Sequence, residues 1–173
     1  MKKTLIPTAL AFTLVAVATL SAGSAFAQGN TASASANAST RVVAAIALTK
    51  TADLNFGDVV ASASLGTVVM SYGGARTSTG GTTLGNASSA GAAAFSTTGT
   101  SGATYAITLP ASPITISDGG IHTMTVGTFL GSKTTGTLTS GADTFTVGAT
   151  LNVAANQYAG SYTGTFGVSV NYN

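Results

Sequence analysis

From Gly160 to Asn173 the chain alternates with a period of two. Tyr162, Phe166, Val168, Val170 and Tyr172 share one phase, and Ser, Thr, Gly and Asn fill the other. Successive side chains of an extended strand point to opposite faces, so the pattern specifies a strand with one dry and one wet face. At the usual strand rise the stretch spans about 40 Å. A strand of that length needs hydrogen-bond partners along it, so much of the preceding chain has to be sheet.

The middle of the sequence reads that way. Asp53-Leu54-Asn55-Phe56-Gly57-Asp58 leads into Val59-Val60, and Val68, Met70 and Tyr72 share a phase within 66–72. Gly73-Gly74 and Gly80-Gly81 read as breaks. Ala94 to Gly99 centres on Phe95, and Tyr105 to Leu109 alternates until Pro110. Ile114–Ser117 and Ile121–Val126 flank Asp118-Gly119-Gly120, a hairpin signal because Asp and Gly tolerate the positive φ of a tight turn. Thr144 to Ala155 carries Phe145, Val147, Ala149, Leu151 and Val153 in one phase. No part of this region has helical periodicity with caps. Eight or nine short strands at this spacing predict an all-β sandwich or barrel.

The start of the chain is of another kind. Lys2 and Lys3 precede an uncharged, mostly apolar run from Leu5 to Leu20, and Ala25-Phe26-Ala27 supplies a small-x-small site. This is the layout of a cleaved secretory signal, 1–27, cut after Ala27. The expectation is an exported protein of the periplasm, cell surface or extracellular space, with no integral membrane segment left after cleavage. Cleavage leaves Arg41, Lys50, Arg76 and Lys133 against Asp53, Asp58, Asp118 and Asp143, a formal net charge of zero. The basic character of the full chain therefore belongs to the signal, and nucleic acid is not an expected partner. The chain has no Cys, so neither disulfides nor thiolate metal sites are available to it.

Residues 28–40 are a low-complexity arm before a domain expected at 41–173. Ala32, Ala34, Ala36 and Ala38 occupy even positions, and the same phase continues through Val42, Ala44, Ile46 and Leu48. Two readings follow: a flexible leader before a first strand, or a strand donated to a neighbour. Val42, Ala44, Ile46 and Leu48 are the candidate donor positions. The scarcity of charge and proline leaves the predicted sheet edges lightly guarded, as suits a subunit built for strand addition.

The ordered motifs Leu54-Asn55-Phe56-Gly57, Gly66-Thr67-Val68-Val69-Met70, Phe95-Ser96-Thr97-Thr98-Gly99, Tyr105-Ala106-Ile107-Thr108-Leu109-Pro110 and Val147-Gly148-Ala149-Thr150-Leu151-Asn152-Val153, closing with 160–172, resemble a secreted bacterial family called domain of unknown function 4402. The resemblance covers about residues 41 to 173 and implies no activity. Gly160, Tyr162 and Tyr172 also make the ending similar to the pilins of chaperone–usher fimbriae and to spore coat protein U domains. That likeness implies an immunoglobulin-like antiparallel β-sandwich lacking a strand, which a neighbour's N-terminal arm fills. It would give Tyr162, Phe166, Val168, Val170 and Tyr172 a role in assembly. It would also imply self-association or homologous surface subunits as partners, together with a periplasmic chaperone. The pilins usually carry a Cys pair, which this chain lacks, and the arm before Arg41 offers only Ala where a donor strand uses larger groups.

Catalytic signatures are sparse. His122 is the single His, with Asp118 four residues before it, and no Gly-x-Ser-x-Gly elbow is present. The four Asp are scattered, with Asp53 and Asp58 bracketing Leu54–Gly57 in a pattern typical of turns. No pair of groups is spaced to move a proton or attack a carbon, so neither enzyme activity nor a cofactor is expected. The expected function is a secreted, non-enzymatic structural protein, a fimbria-like or matrix subunit. The alternatives are a stand-alone binding or adhesion module and a small outer-membrane β-barrel.

Overall fold

The computed structural model describes residues 31–173. The signal segment 1–27 lies outside the described residues. Residues 31–46 form no strand, and up to position 45 they are exposed. Thr40–Asn173 form one compact unit.

That unit holds ten strands and no helix among the described residues. They are β1 (Ala47–Ala52), β2 (Val59–Met70), β3 (Arg76–Leu84), β4 (Ala93–Thr98), β5 (Thr104–Thr108), β6 (Ile114–Ser117), β7 (Thr123–Gly131), β8 (Thr135–Thr137), β9 (Ala142–Val153) and β10 (Ser169–Tyr172). Every pairing is antiparallel, and the sheets are open, not closed cylinders.

β9 is the axis of the larger sheet. Val147 pairs with Ala93 of β4 and with Gly131 of β7, so those strands lie on opposite edges. Thr150, Leu151 and Asn152 pair with both β2 and β7, so β2 lies on the β4 side. β4 and β2 therefore run end to end along one edge of β9, each using about half of it. Gly148 sits at the junction. A Cβ there would run into the Met70 carbonyl oxygen and lie 2.6 Å from the Tyr72 nitrogen, so only glycine lets the end of β2 come this close.

The second sheet is small, in the order β10-β5-β8. It covers one half of the larger sheet. Ile107, Val168 and Val170 pack there on Ala93, Phe95, Phe145 and Val147. Phe95 and Phe145 stack with centroids 5.2 Å apart, and Phe166 meets Phe95 edge-on at 6.5 Å. The other half of the larger sheet presents Val68, Val126, Ala149, Leu151 and Val153. The groups packed on it from outside the sheet are Leu54 and Phe56, which sit on an irregular segment. The result is an antiparallel β-sandwich with two strand layers at one end and one at the other.

Several elements differ from the sequence reading. The first strand begins at Ala47, so of the phase Val42, Ala44, Ile46 and Leu48 only Leu48 falls within it. Gly80-Gly81, read as a break, lies inside β3. Ala61 pairs with Thr82 and Gly66 with Gly80, so residues 62–65 bulge out of β2. Gly80 takes φ +68°, and a Cβ at Gly81 would strike the Ser64 carbonyl oxygen, so these glycines admit the bulge and do not end the strand. Gly73-Gly74 does form the expected turn, closed by Ser71 N–H to the Ala75 carbonyl at 2.9 Å. The hairpin at 118–120 also forms, with Ser117 paired to Thr123 and Gly119 at φ +86°.

Candidate functional site

The stretch from 160 to 173 keeps its alternation but not its ladder. Tyr162, Phe166, Val168, Val170 and Tyr172 are half-buried, and the residues between them are exposed. Thr163 makes one bridge to Ser117, at 2.8 and 2.9 Å. Ser169–Tyr172 pair with β5. Between these anchors, residues 164–168 have no backbone hydrogen bond to any strand among the described residues. The segment crosses from β6 on the larger sheet to β5 on the smaller one, and a chain that changes sheets leaves both ladders in transit. Gly164 enables the crossing, since a Cβ there would lie 2.7 Å from Ile116 Cγ2.

Facing this segment is the irregular stretch 53–58. Asn55 bridges Gly91 by two hydrogen bonds of 2.9 Å. Gly57 takes φ +65° and donates its N–H to Asn55 Oδ1 at 2.8 Å. Arg76 ties the stretch down, donating to the Phe56 carbonyl at 2.6 Å and the Gly85 carbonyl at 3.0 Å. A Lys50–Asp53 ion pair stands at its exposed end.

Between the two segments lies an open groove of about 1320 Å³. Its lining reaches the core side chains Phe95, Val126, Leu151 and Val153, with Ile116 and Met124 beside them. Lys50, Asp53 and Asp58 are the charged residues of the lining. The groove has an apolar floor, and one wall is the backbone of 164–168, which bonds to no strand among the described residues.

The candidate donor positions are not equivalent. Val42 is 89% exposed. Ala44 is exposed but tethered: its N–H donates to Thr100 Oγ1 at 2.8 Å, and its carbonyl accepts from the Tyr172 hydroxyl at 2.9 Å. Ile46 is half-buried outside any strand. Leu48 pairs with Thr97 in β1 and packs near Phe95. Among the described residues, the first hydrogen bonds that tie the arm to the domain within Thr40–Asn173 are those of Ala44.

Of the terminal set, Phe166 also packs on Phe129 at 4.9 Å. The Tyr162 hydroxyl donates to the Tyr158 carbonyl at 2.7 Å and accepts from Gln157 Nε2 at 2.8 Å. The Tyr172 hydroxyl also accepts from Thr100 N–H at 2.8 Å. Sequence reasoning missed the 53–58 wall and its Arg76 tie. A lone Arg with no nearby acid gives no sign that it will bond carbonyls far along the chain.

Two polar clusters complete the picture. His122 Nδ1 is 2.7 Å from Asp118 Oδ2, and its ring stacks on Tyr158 at 4.1 Å. The bond from His122, with Gly120 N–H, holds the Asp118 carboxyl below the usual carboxylate range. At the double-layered end, Lys133 Nζ reaches both Asp143 oxygens at 2.9 and 3.0 Å, and buried Tyr105 donates to Oδ2 at 2.9 Å. Burial opposes the charge on Asp143, but Lys133, Tyr105 and Thr144 N–H outweigh it and hold the carboxyl low. Burial, reinforced by Asp143, pushes the Tyr105 phenol up, against a lowering from Thr97. No group of three or more His, Cys, Asp or Glu is placed to hold a metal among the described residues.

A family model described as "Domain of unknown function (DUF4402)" matches residues 46–172. No curated protein and no solved structure matches the chain.

Proposed function

The chain belongs to the DUF4402 family, and from that premise and the geometry above we propose that it is an exported, non-enzymatic structural protein of the cell surface, a subunit that assembles by β-strand addition. The observation that carries this reading is the half-covered sandwich. A groove of about 1320 Å³ opens onto core side chains, and one wall is the extended, unpaired segment 164–168. An incoming strand would gain backbone hydrogen bonds along that wall and bury apolar side chains on the floor, the two terms that drive strand addition.

The donor is the arm of a second copy. Residues 31–43 are exposed, precede the tether at Ala44, and carry Ala32, Ala34, Ala36, Ala38 and Val42 in one phase. Thirteen extended residues reach about 40 Å, enough to leave one molecule and line a groove on the next. Arm and groove are different surfaces, so the contact is head-to-tail and adds subunits one after another, as an open chain where the rotation does not close a ring.

The chain has no Cys, which makes cross-linking clean. Ala36→Cys and Thr165→Cys are introduced in separate molecules and mixed under mild oxidation. A heterodimer joining the two is expected. Formation of homodimers alone, at the rate of a control pair on the outer sheet face, would overturn the assignment.

A further inference from the structure

We propose that the β6–β7 hairpin tip is a proton-sensitive latch on the groove, holding the lip at 157–163 closed in acid and releasing it toward neutral pH. This rests on the reading of the groove as a strand-accepting site and assigns the control of its access.

The lip is attached to the body at few points, and those points converge on the hairpin. The His122 ring lies parallel to Tyr158, centroids 4.1 Å apart and planes within 6°. Gln157 Nε2 donates to the Thr123 carbonyl at 3.3 Å. Thr163 makes its bridge to Ser117, next to the turn of the same hairpin. Tyr162 braces Tyr158 from within the lip through its bond to the Tyr158 carbonyl. Past Thr163 the wall has no further backbone bond until β10 among the described residues, and the packing of Phe166 on Phe95 and Phe129 anchors it there, so the lip can open as far as Thr163 once these contacts release.

The charges facing His122 are few. Asp118, on its own hairpin, meets Nδ1 at 2.7 Å. From the lip it meets the Tyr158 phenol, with the Tyr162 phenol behind. No other charged side chain bonds to His122 or Asp118 among the described residues.

Histidine is the side chain that changes charge between about pH 5 and 8. Protonated, His122 is a full ion-pair partner for Asp118 and a cation over the face of Tyr158. Neutral, it keeps one hydrogen bond and a ring contact. Asp118 stays ionised through mildly acid conditions because its carboxyl is held low. The ion pair with Asp118 fixes the ring within the hairpin, and the cation–π contact with Tyr158 ties the hairpin to the lip; both are present on the acid side and weaken as the imidazole loses its proton.

The test compares amide exchange of Thr163 and Ser117, whose N–H groups bond each other's carbonyls between lip and hairpin, at pH 5.5 and 7.5, corrected for intrinsic rate, in the wild type and in His122→Gln. The wild type is expected to be about threefold better protected at pH 5.5, the scale of a partly exposed ion pair with a cation–π contact. In His122→Gln the difference should vanish. Equal protection at both pH values in the wild type, or an unchanged difference in the variant, overturns the latch. If His122→Gln fails to fold, Tyr158→Leu serves: it leaves the Asp118 pair in place, and its pH difference should shrink.

Growth of multimers, followed by light scattering at the same two pH values, separates the latch from the reading beneath it. Growth about threefold slower at pH 5.5 in the wild type alone supports both. Equal growth rates alongside pH-dependent protection overturn control of access. No growth at either pH, with pH-dependent protection intact, removes strand addition and leaves the latch standing.

Discussion

The hydroxyl of Tyr172 donates to the carbonyl of Ala44 at 2.9 Å across 128 positions of sequence. The same oxygen accepts from Thr100 N–H, and Ala44 N–H donates to Thr100 Oγ1. These three residues fix the point where the arm leaves the domain. Gly99 makes room for them, since a Cβ there would strike the Tyr172 hydroxyl and lie 3.0 Å from Leu138 Cδ1.

Tyr172→Phe removes this tie while keeping the ring. Thr100 N–H and the Ala44 carbonyl lose a partner, so the domain should lose about 1–2 kcal/mol. A lower urea midpoint with an unchanged slope would show it. The Ala44 amide should also exchange faster, because the arm root is no longer held from both sides.

Gly148→Ala places a methyl group against backbone, which cannot swing away as a side chain can. The Met70 carbonyl and the Tyr72 nitrogen have to move, and they form the junction where β4 and β2 meet on β9. A loss of about 1–3 kcal/mol or more is expected, measured by thermal or urea melting. Gly74→Ala, with open space around it but φ +85°, should cost less, about 1 kcal/mol of local strain.

Asp143 ties stability to acid. Its folded carboxyl is held below the unfolded value, so its contribution is present above about pH 4 and is lost as pH falls through the lower, folded value. Asp143→Asn should cost about 1–3 kcal/mol at neutral pH, because Lys133 and the buried Tyr105 hydroxyl lose their charged partner. Below pH 4 the gap between wild type and variant should close. Asp118, also held low, leaves a remaining acid slope of the same sign in the variant.

Phe95 and Phe166 separate core from groove wall. Phe95 is 8% exposed and stacks on Phe145, so Phe95→Ala should cost about 3–5 kcal/mol. Phe166 is half-buried on the unpaired segment, and Phe166→Ala should cost about half as much. It should also weaken assembly beyond its effect on melting, because it shapes the groove.

The alternation of 160–173, of 144–155 and of 105–109 made the class of fold legible, since period two is fixed by backbone geometry and survives any tertiary detail. Burial of Tyr162, Phe166, Val168, Val170 and Tyr172 followed that phase. Pairing did not, because a ladder depends on where a neighbour lies, and residues 164–168 are crossing between sheets. Gly80-Gly81 misled for a related reason. Glycine permits a break and a bulge equally, and the choice is made by the 62–65 excursion of the partner strand. The hairpin at Asp118-Gly119-Gly120 was legible because its information is local. The groove was not, since its second wall hangs on Arg76 bonding carbonyls 20 and 9 positions away.

The most direct measurement is the mass of residues 28–173 by size-exclusion chromatography with light scattering and no detergent, beside the same chain lacking residues 28–43. Strand addition predicts a ladder of multimers that resists mild SDS for the full chain and a monomer for the shortened one. A full-length chain that runs as a clean monomer at every concentration, or a shortened chain that still forms the ladder, would contradict it.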